Sequence, residues 1–497
     1  MVLAGPDLTR ASGAGPVPGR RRWPLWAAVV VGALSVAGYA ADMAWHHSGA
    51  MLNWYDLNVY NHAGVIARNL PQRLYTWQLR PGIKFTYTPF AALLFAFGSL
   101  LPWVVLRWLM TAASLAALGG AVWLTLGALG WRGRGRVTAL LALGAAVLWI
   151  EPVQRALHLG QIELMLMLLI VWDLCQPDQR RWKGIGIGLA AGIKLVPLIF
   201  IPYLILAGKL RQAAVASAAF AGSVAVGFVF LPQASVKWWL TGYFLHSGNV
   251  GDVGSLLNQS LFGFIARAAG SRHAATPVWL GLDVVVAAVG LVTAAALHRG
   301  GRPVAGWLTC ALTGLLVSPI SWDHHWVWIA PALVLFADTA VRAEGAQRRA
   351  WAALTVAVAA IFGGWPAYWT GPSALVPQGL LGFFIGPHPD HLKYHLRGAG
   401  VISWNLYVLV GLALLALAVA GAARTGLLRR RPASALLWPY PGVPVLRRAL
   451  SARRARTRRD RGPLQSPGRD GDVAATVWPG SGHSAVSEAT GQPVRSA

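Results

Sequence analysis

The sequence predicts an all-α polytopic membrane protein with about 11–13 transmembrane helices, and three observations lead there. Of 497 residues, 56% are hydrophobic and only 12% charged, with a mean hydropathy of +0.51; soluble domains carry about 25% charged residues. Apolar runs of spanning length recur along the chain, at roughly 20 residues per crossing. Clusters of Arg and Lys punctuate those runs.

The first run, 24–43, follows Arg20-Arg21-Arg22 and carries Gly38-Tyr39-Ala40-Ala41. Those small residues mimic a signal-peptide cleavage site. A polytopic chain needs a first crossing, however, and the span exceeds a signal core, so it reads as an uncleaved anchor. Residues 1–22 are then a cytoplasmic segment and residues 45–86 the first external loop. Within that loop the pattern from Trp54 through Ala67 fits a short amphipathic helix lying on the membrane surface. Further runs fall near 88–101, 104–129, 137–152, 160–176, 184–207, 211–231, 277–298, 303–319, 324–341, 350–366 and 401–423. The weakest are 88–101 and 366–386.

One membrane domain, 23–423, is therefore expected, followed by a disordered basic cytoplasmic tail, 424–497. That tail holds fourteen Arg against four acids in a Pro/Gly/Ser/Ala-rich stretch. It suits a solvated positive-inside segment, with anionic head groups an alternative partner and nucleic acid a poor one. Arg429-Arg430-Arg431 place the C-terminus inside, which argues for an even number of crossings. Arg132–Arg136, Arg180–Lys183 and Lys209–Arg211 cannot all be cytoplasmic if one crossing separates neighbours, so the mid-chain topology stays open. Cys175 and Cys310 lie in apolar runs and imply neither a disulfide nor a metal site.

Only seventeen acidic residues exist, so a catalytic carboxylate is sought by elimination. Asp173, Asp178, Asp338 and Glu344 sit at span ends beside basic residues, and Asp283 lies inside a span. Asp42, Asp56, Glu151, Glu163, Asp252, Asp323 and Asp390 remain. Asp56 leads them: it shares a helix face with Tyr60, and an acid and a phenol together can bind and deprotonate a sugar hydroxyl. The plainer alternative is an N-cap carboxylate.

Pro89 suits a helix start in Lys84-Phe-Thr-Tyr-Thr-Pro-Phe90, and Lys84 can face a phosphate or snorkel to head groups. Between two spans, Arg155 and His158 could hold a phosphate diester and Gln161 a sugar hydroxyl. The glycines of 184–192 lack the Gly-Lys-Ser/Thr ending of a P-loop, and close helix packing accounts for them. Lys194 is an intramembrane cation for which a lipid phosphate is a natural partner. Trp238-Trp239, His246 and Leu257-Asn-Gln-Ser260 set indoles beside amides, which suits carbohydrate.

The most pointed motif is Ser318-Pro-Ile-Ser-Trp-Asp-His-His-Trp-Val-Trp328, an acid, two imidazoles and three indoles between apolar segments. Ionisable groups at that depth cost about 2.5–3.5 kcal/mol each, so the cluster is expected to line a wet cavity. Adjacent His324 and His325 point about 100° apart on a helix, which disfavours one shared metal. One is expected to line the cavity and the other to pack.

In this order the fragments resemble the actinobacterial polyprenyl-phosphomannose-dependent mannosyltransferases of glycosyltransferase family 87, which have the GT-C membrane fold. The resemblance covers about residues 25–425. It rests on Asp56-Leu-Asn-Val-Tyr60, Phe85-Thr-Tyr-Thr-Pro-Phe90, Glu151-Pro, Gly160-Gln-Ile162, Gly192-Ile-Lys194-Leu-Val-Pro197, Asn258-Gln-Ser260, Ser318–Trp322 and His324–Trp328. It implies that mannose moves from a polyprenyl-phosphate-mannose donor to a lipid-anchored mannoside acceptor, outside the cytoplasmic membrane and among membrane lipids, often forming an α-1,2 linkage. It further implies an inverting reaction without metal or other cofactor, with Asp56 as general base.

On this reading His324 joins Asp56 in catalysis, while Tyr60, Lys84, Tyr87, Arg155, His158, Gln161, Lys194, Asn258, Gln259, Ser321, Trp322, Asp323 and His325 bind substrate. Three departures border the presumed cavity: Thr88 where the family usually has Pro, Glu163 where Asn is usual, and Asp323 where a neutral residue usually precedes the histidines. The rivals are an arabinofuranosyl donor on the same fold, a lipid or solute transporter and a non-catalytic scaffold. No halving of the sequence into repeats favours the transporter.

Overall fold

The computed structural model describes residues 25–45, 53–80, 83–364, 380, 394 and 398–428. The expectations for residues 1–22, for Asp390, for the tail beyond 428 and, residue 380 apart, for the run 366–386 lie outside the described residues.

The described chain is almost wholly helical. Its strands, Gln78–Arg80 and Ile83–Lys84, form one small antiparallel hairpin in the loop after the first helix. In order come α1 (Leu25–Trp45), α2 (Tyr55–Asn69), α3 (Pro89–Gly98), α4 (Trp103–Ala128), α5 (Gly133–Val147), α6 (Glu151–Leu159), α7 (Glu163–Leu174) and α8 (Ile185–Ile193). After these come α9 (Phe200–Leu206), α10 (Leu210–Phe230), α11 (Pro232–Ser235), α12 (Leu261–Ala268), α13 (Arg272–Arg299), α14 (Pro303–Val317), α15 (Ile329–Arg342), α16 (Gly345–Phe362) and α17 (Leu406–Arg424).

α4, α10, α13 and α17 are long and apolar enough to cross a membrane alone, and α6 with α7 makes a fifth span if a pair bent by 118° counts as one. α1 and shorter helices carry the remaining apolar runs of the described chain. Pro and Gly at element ends stop them early, as backbone breaks within a membrane require internal partners. The bundle is a multi-pass membrane protein.

The bend between α6 and α7 depends on Gly160, whose φ of 68° caps α6 in the left-handed region. A Cβ there would stand 2.8 Å from the Leu57 Cβ, so α2 packs against this turn only because it is glycine. Pro89 does start α3; Thr88 caps that helix, accepting from Ala91 N–H at 3.1 Å and donating to the Gly192 carbonyl.

α8 lies against α10 with Gly188 on the Ala216 and Ala219 backbone and side chain, the close packing expected of that glycine run. Asp173 caps α8, accepting from the Gly184 and Ile187 N–H groups at 2.7 and 3.0 Å.

The run 184–207, expected to be one crossing, is a hairpin. α8 ends at Lys194 in extended backbone, Pro197 sits in the following 3-10 turn, and α9 returns. Lys183 and Lys209, at the feet of the two arms, both pair with Asp178, at 2.8 and 2.6 Å. Proline denies the helix a continuous ladder, and Lys194 is left at the tip.

This turn-back settles the open topology. Lys183 and Lys209 share one end of the bundle, and Cys175 beside them approaches the Leu124 carbonyl near the end of α4. Arg136 lies over Trp123 at the same end, and Arg342 donates to the Leu129 carbonyl at 2.9 Å. All three basic clusters therefore occupy one end, here the lower end. Residues 54–60, 151–163 and 318–328 gather at the upper end.

Candidate active site

Trp54 enters α2 with φ 46° and ψ 37°, a left-handed conformation that a bulky residue adopts only under constraint. Its N–H donates to the His158 carbonyl at 2.9 Å and its indole N–H to Thr111 at 3.1 Å, while Arg107 stacks 5.0 Å from the ring. These contacts aim the first turn of α2. The N-cap of α2 is Trp54 and it makes no side-chain cap, so the N-cap alternative for Asp56 is corrected. The Asp56 carboxylate turns inward.

There Gln161 Nε2 donates to Asp56 Oδ2 at 2.6 Å. The Gln161 carbonyl oxygen accepts from the Tyr60 and Tyr87 hydroxyls at 2.6 and 3.2 Å, and the two hydroxyls are 2.7 Å apart. Two phenols on the oxygen thus leave the amide N–H for the carboxylate. Burial raises the Asp56 carboxyl above its ordinary value, opposed by the charge of His324 and the Gln161 hydrogen bond. Burial likewise pushes the Tyr60 phenol well above its usual value, so it remains a neutral donor.

The network continues through Lys194. Its ammonium pairs with Glu163, donates to His325 Nε2 at 3.0 Å and lies 3.5 Å from the Tyr87 hydroxyl. Because Nε2 of His325 accepts, the ring proton is on Nδ1 and the imidazole is neutral.

His324 packs edge-on against His325, ring centroids 4.8 Å apart, and its Nδ1 lies 3.1 Å from Asp323 Oδ1. Arg155 reaches the other oxygen of Asp323 at 3.5 Å. Nε2 of His324 is buried with no partner among the described residues. Glu163, Lys194 and His325 line a cavity of about 50 Å³ whose other walls are apolar, with Leu166, Ile170 and Phe200 among them.

The donor atoms of Glu163, His324 and His325 lie within 4.8 Å of one another, close enough for a metal ion. The two imidazoles thus come together although adjacent residues of an α-helix or of the 3-10 turn over 323–328 point about 100° or more apart. The Lys194 ammonium nevertheless already bonds two of the three groups.

The family model for glycosyltransferase family 87 matches residues 85–319. The polyprenol-phosphate-mannose-dependent alpha-(1-2)-phosphatidylinositol pentamannoside mannosyltransferase of Mycobacterium tuberculosis is 32% identical over 346 residues, 67% of this chain and 78% of the relative. The chain belongs to glycosyltransferase family 87. A protein of the same description from Mycolicibacterium smegmatis is also 32% identical, over 65% of this chain and 80% of its own length. A polyprenol-phosphate-mannose-dependent alpha-(1-2)-phosphatidylinositol mannoside mannosyltransferase of Mycobacterium tuberculosis is 31% identical over 51% of this chain and 62% of its own. No solved structure matches at a significant level. This family 87 member is a glycosyltransferase.

In this family 87 enzyme the structure unites Asp56, Tyr60, Tyr87, Arg155, Gln161, Lys194, Asp323, His324 and His325. It sets others apart. Lys84 donates to Asn249 at 3.2 Å, away from the network.

Asn258, Gln259 and Ser321, expected to bond substrate, are corrected to structural roles. The Asn258 amide bonds the backbone of Val253, Pro319 and Ser321. The Gln259 amide bonds that of Leu256, Trp404 and Tyr407, and the Ser321 hydroxyl donates to Leu315. Non-helical chain at membrane depth needs such partners, and these side chains are used up in supplying them. Trp322 joins Asn258 in an isolated bridge, and His158 is buried, its carbonyl holding Trp54.

The departures Glu163 and Asp323 fall inside the network, pairing Lys194 and His324. Sequence reasoning gave no role to Tyr407, which donates to Glu151 at 2.9 Å, or to fully buried Arg267, which donates to Asn405 and to the Ser255 and Asn258 carbonyls. Neither lies in a polar cluster of the sequence, and no local signal marks them.

Proposed function

We propose that the enzyme transfers mannose from polyprenyl-phosphate-mannose to a phosphatidylinositol mannoside, by single displacement with inversion and formation of an α-1,2 linkage. The observation that carries this is one connected network with a half-buried carboxylate, Asp56, at one end and Lys194 with His325 at a mostly apolar cavity at the other. The acceptor oxygen attacks C1 of the mannosyl group, its proton passes to Asp56, and the C1–O bond breaks with its electron pair on the phosphate. General-base assistance of this kind contributes about 10²–10⁴-fold.

His324 Nε2, the unpartnered nitrogen, and the Lys194 ammonium are the groups that would meet the phosphate oxygens. Asp323 Oδ1, 3.1 Å from Nδ1, fixes the orientation of the ring. The apolar walls beside Lys194 suit an isoprenoid chain. Lys194 supplies the cation amid Glu163 and His325, so the reaction proceeds in EDTA.

The relatives' printed names support donor and acceptor alike. The basic lower end supports a cytoplasmic placement for that face and, with it, the reading of Asp56 as external. Within this reading residues 23–423 are the catalytic domain and 424–497 a cytoplasmic tail.

The test is donor binding in detergent. Lys194→Ala and His324→Ala should each weaken binding of polyprenyl-phosphate-mannose while leaving acceptor binding intact; unchanged donor affinity in both would remove the phosphate assignment.

A further inference from the structure

A second cavity, of about 240 Å³, opens between α13, α14, α15, α16 and α17. Its wall is apolar over most of its length, with Leu308, Leu312, Phe336 and Leu417, and it reaches Leu315 and Trp328, which also line the cavity beside Lys194.

The opposite end carries Arg302, Arg424 and Thr425. Arg302 directly precedes α14, whose other end leads into Ser318–Trp328, about 22 Å away at 1.5 Å per residue. Arg424 ends α17, whose first turn holds Tyr407 on Glu151, about 27 Å away. Both arginines are therefore at the lower end, where Ala296, Leu297, Ala422 and Leu427 pack the feet of α13 and α17 together.

Neither guanidinium has a hydrogen bond or ion pair among the described residues. Trp351 lines the same cavity two turns above the lower end of α16, and its buried indole N–H also lacks a partner there. From the bottom up, the cavity thus offers two cations, one hydrogen-bond donor and an apolar slot. That sequence matches a phosphate, an ester carbonyl and an acyl chain.

We propose that this cavity is a binding site for an anionic phospholipid of the leaflet opposite the active site. Its phosphate pairs with Arg302 and Arg424, an ester carbonyl accepts from Trp351, and an acyl chain fills the slot toward Trp328. The enzyme's own tail is a poor occupant, because residues 425–497 carry thirteen Arg against four acids and so share the sign of the mouth. Filling the slot braces Trp328, a shared wall of the cavity holding Lys194, so the lipid stabilises the enzyme from the far side of the bundle.

The experiment is thermal unfolding of the full chain in detergent with dioctanoyl phosphatidylglycerol, dioctanoyl phosphatidylcholine, inorganic phosphate or farnesyl phosphate. Phosphatidylglycerol should raise the midpoint by about 3 °C, and the other three should not. Arg302→Gln with Arg424→Gln should abolish the shift. Ala418→Phe, which blocks the slot and leaves both arginines in place, should abolish it too. The unfolding midpoint of each variant without lipid shows that it is folded.

Equal shifts from phosphatidylglycerol and phosphatidylcholine would overturn the proposal. So would a shift that survives in both variants, or one given by farnesyl phosphate alone, which would assign the cavity to the donor's chain.

Discussion

Gln161 holds Asp56 at 2.6 Å across 105 residues of chain, and the same amide accepts from Tyr60, one turn along the helix from Asp56. One side chain thus fixes both members of the acid and phenol pair. The carboxylate keeps a second oxygen for the acceptor.

Asp56→Asn should reduce transfer by about 10²–10⁴-fold, with the fold intact because asparagine still accepts from Gln161. Initial rates of mannosyl transfer and an unfolding midpoint check both halves. An active Asn variant would remove Asp56 as the base.

The base acts ionised, and burial raises its folded-state pKa above the ordinary 3.8. Activity should therefore rise with pH through an acidic limb above 3.8, and be lost below it. Gln161→Ala removes a hydrogen bond that lowers this pKa, so the limb should move further up. A kcat/KM profile of both proteins decides it; an unmoved limb would mean that Gln161 only packs.

Glu163→Gln leaves the Lys194 ammonium without its carboxylate. Removing one partner of a buried pair costs about 3 kcal/mol, so the unfolding midpoint should fall. The freed ammonium should then bind the donor phosphate more tightly, giving a lower donor KM together with lower stability. A raised KM would mean that Glu163 itself touches substrate.

Arg267→Met should leave Asn405 and two carbonyls unpaired in the interior and cost about 3 kcal/mol. The yield of folded protein should drop, while kcat/KM per folded molecule stays near that of the parent. A selective loss of kcat would place Arg267 in the reaction.

Much of this was legible locally. The helix of residues 55–69 shows its face in the spacing of Leu57, Tyr60 and Ile66, and Asp56 emerges because few acids compete. Contacts across the fold were not. Lys194 meets His325 only because Pro197 turns a supposed crossing back on itself, and no periodicity in an apolar run reports that reversal. Asn258 and Gln259 looked like sugar ligands for a physical reason: the amide that would bond a hydroxyl bonds a broken backbone equally well. The basic clusters seemed contradictory until the hairpin returned them to one end.

The most direct measurement is transfer of labelled mannose from polyprenyl-phosphate-mannose to a phosphatidylinositol mannoside, in EDTA, by parent and Asp56→Asn enzymes side by side. The account predicts transfer by the parent and almost none by the variant. Transfer by both, or by the parent only after a divalent metal is restored, would contradict it.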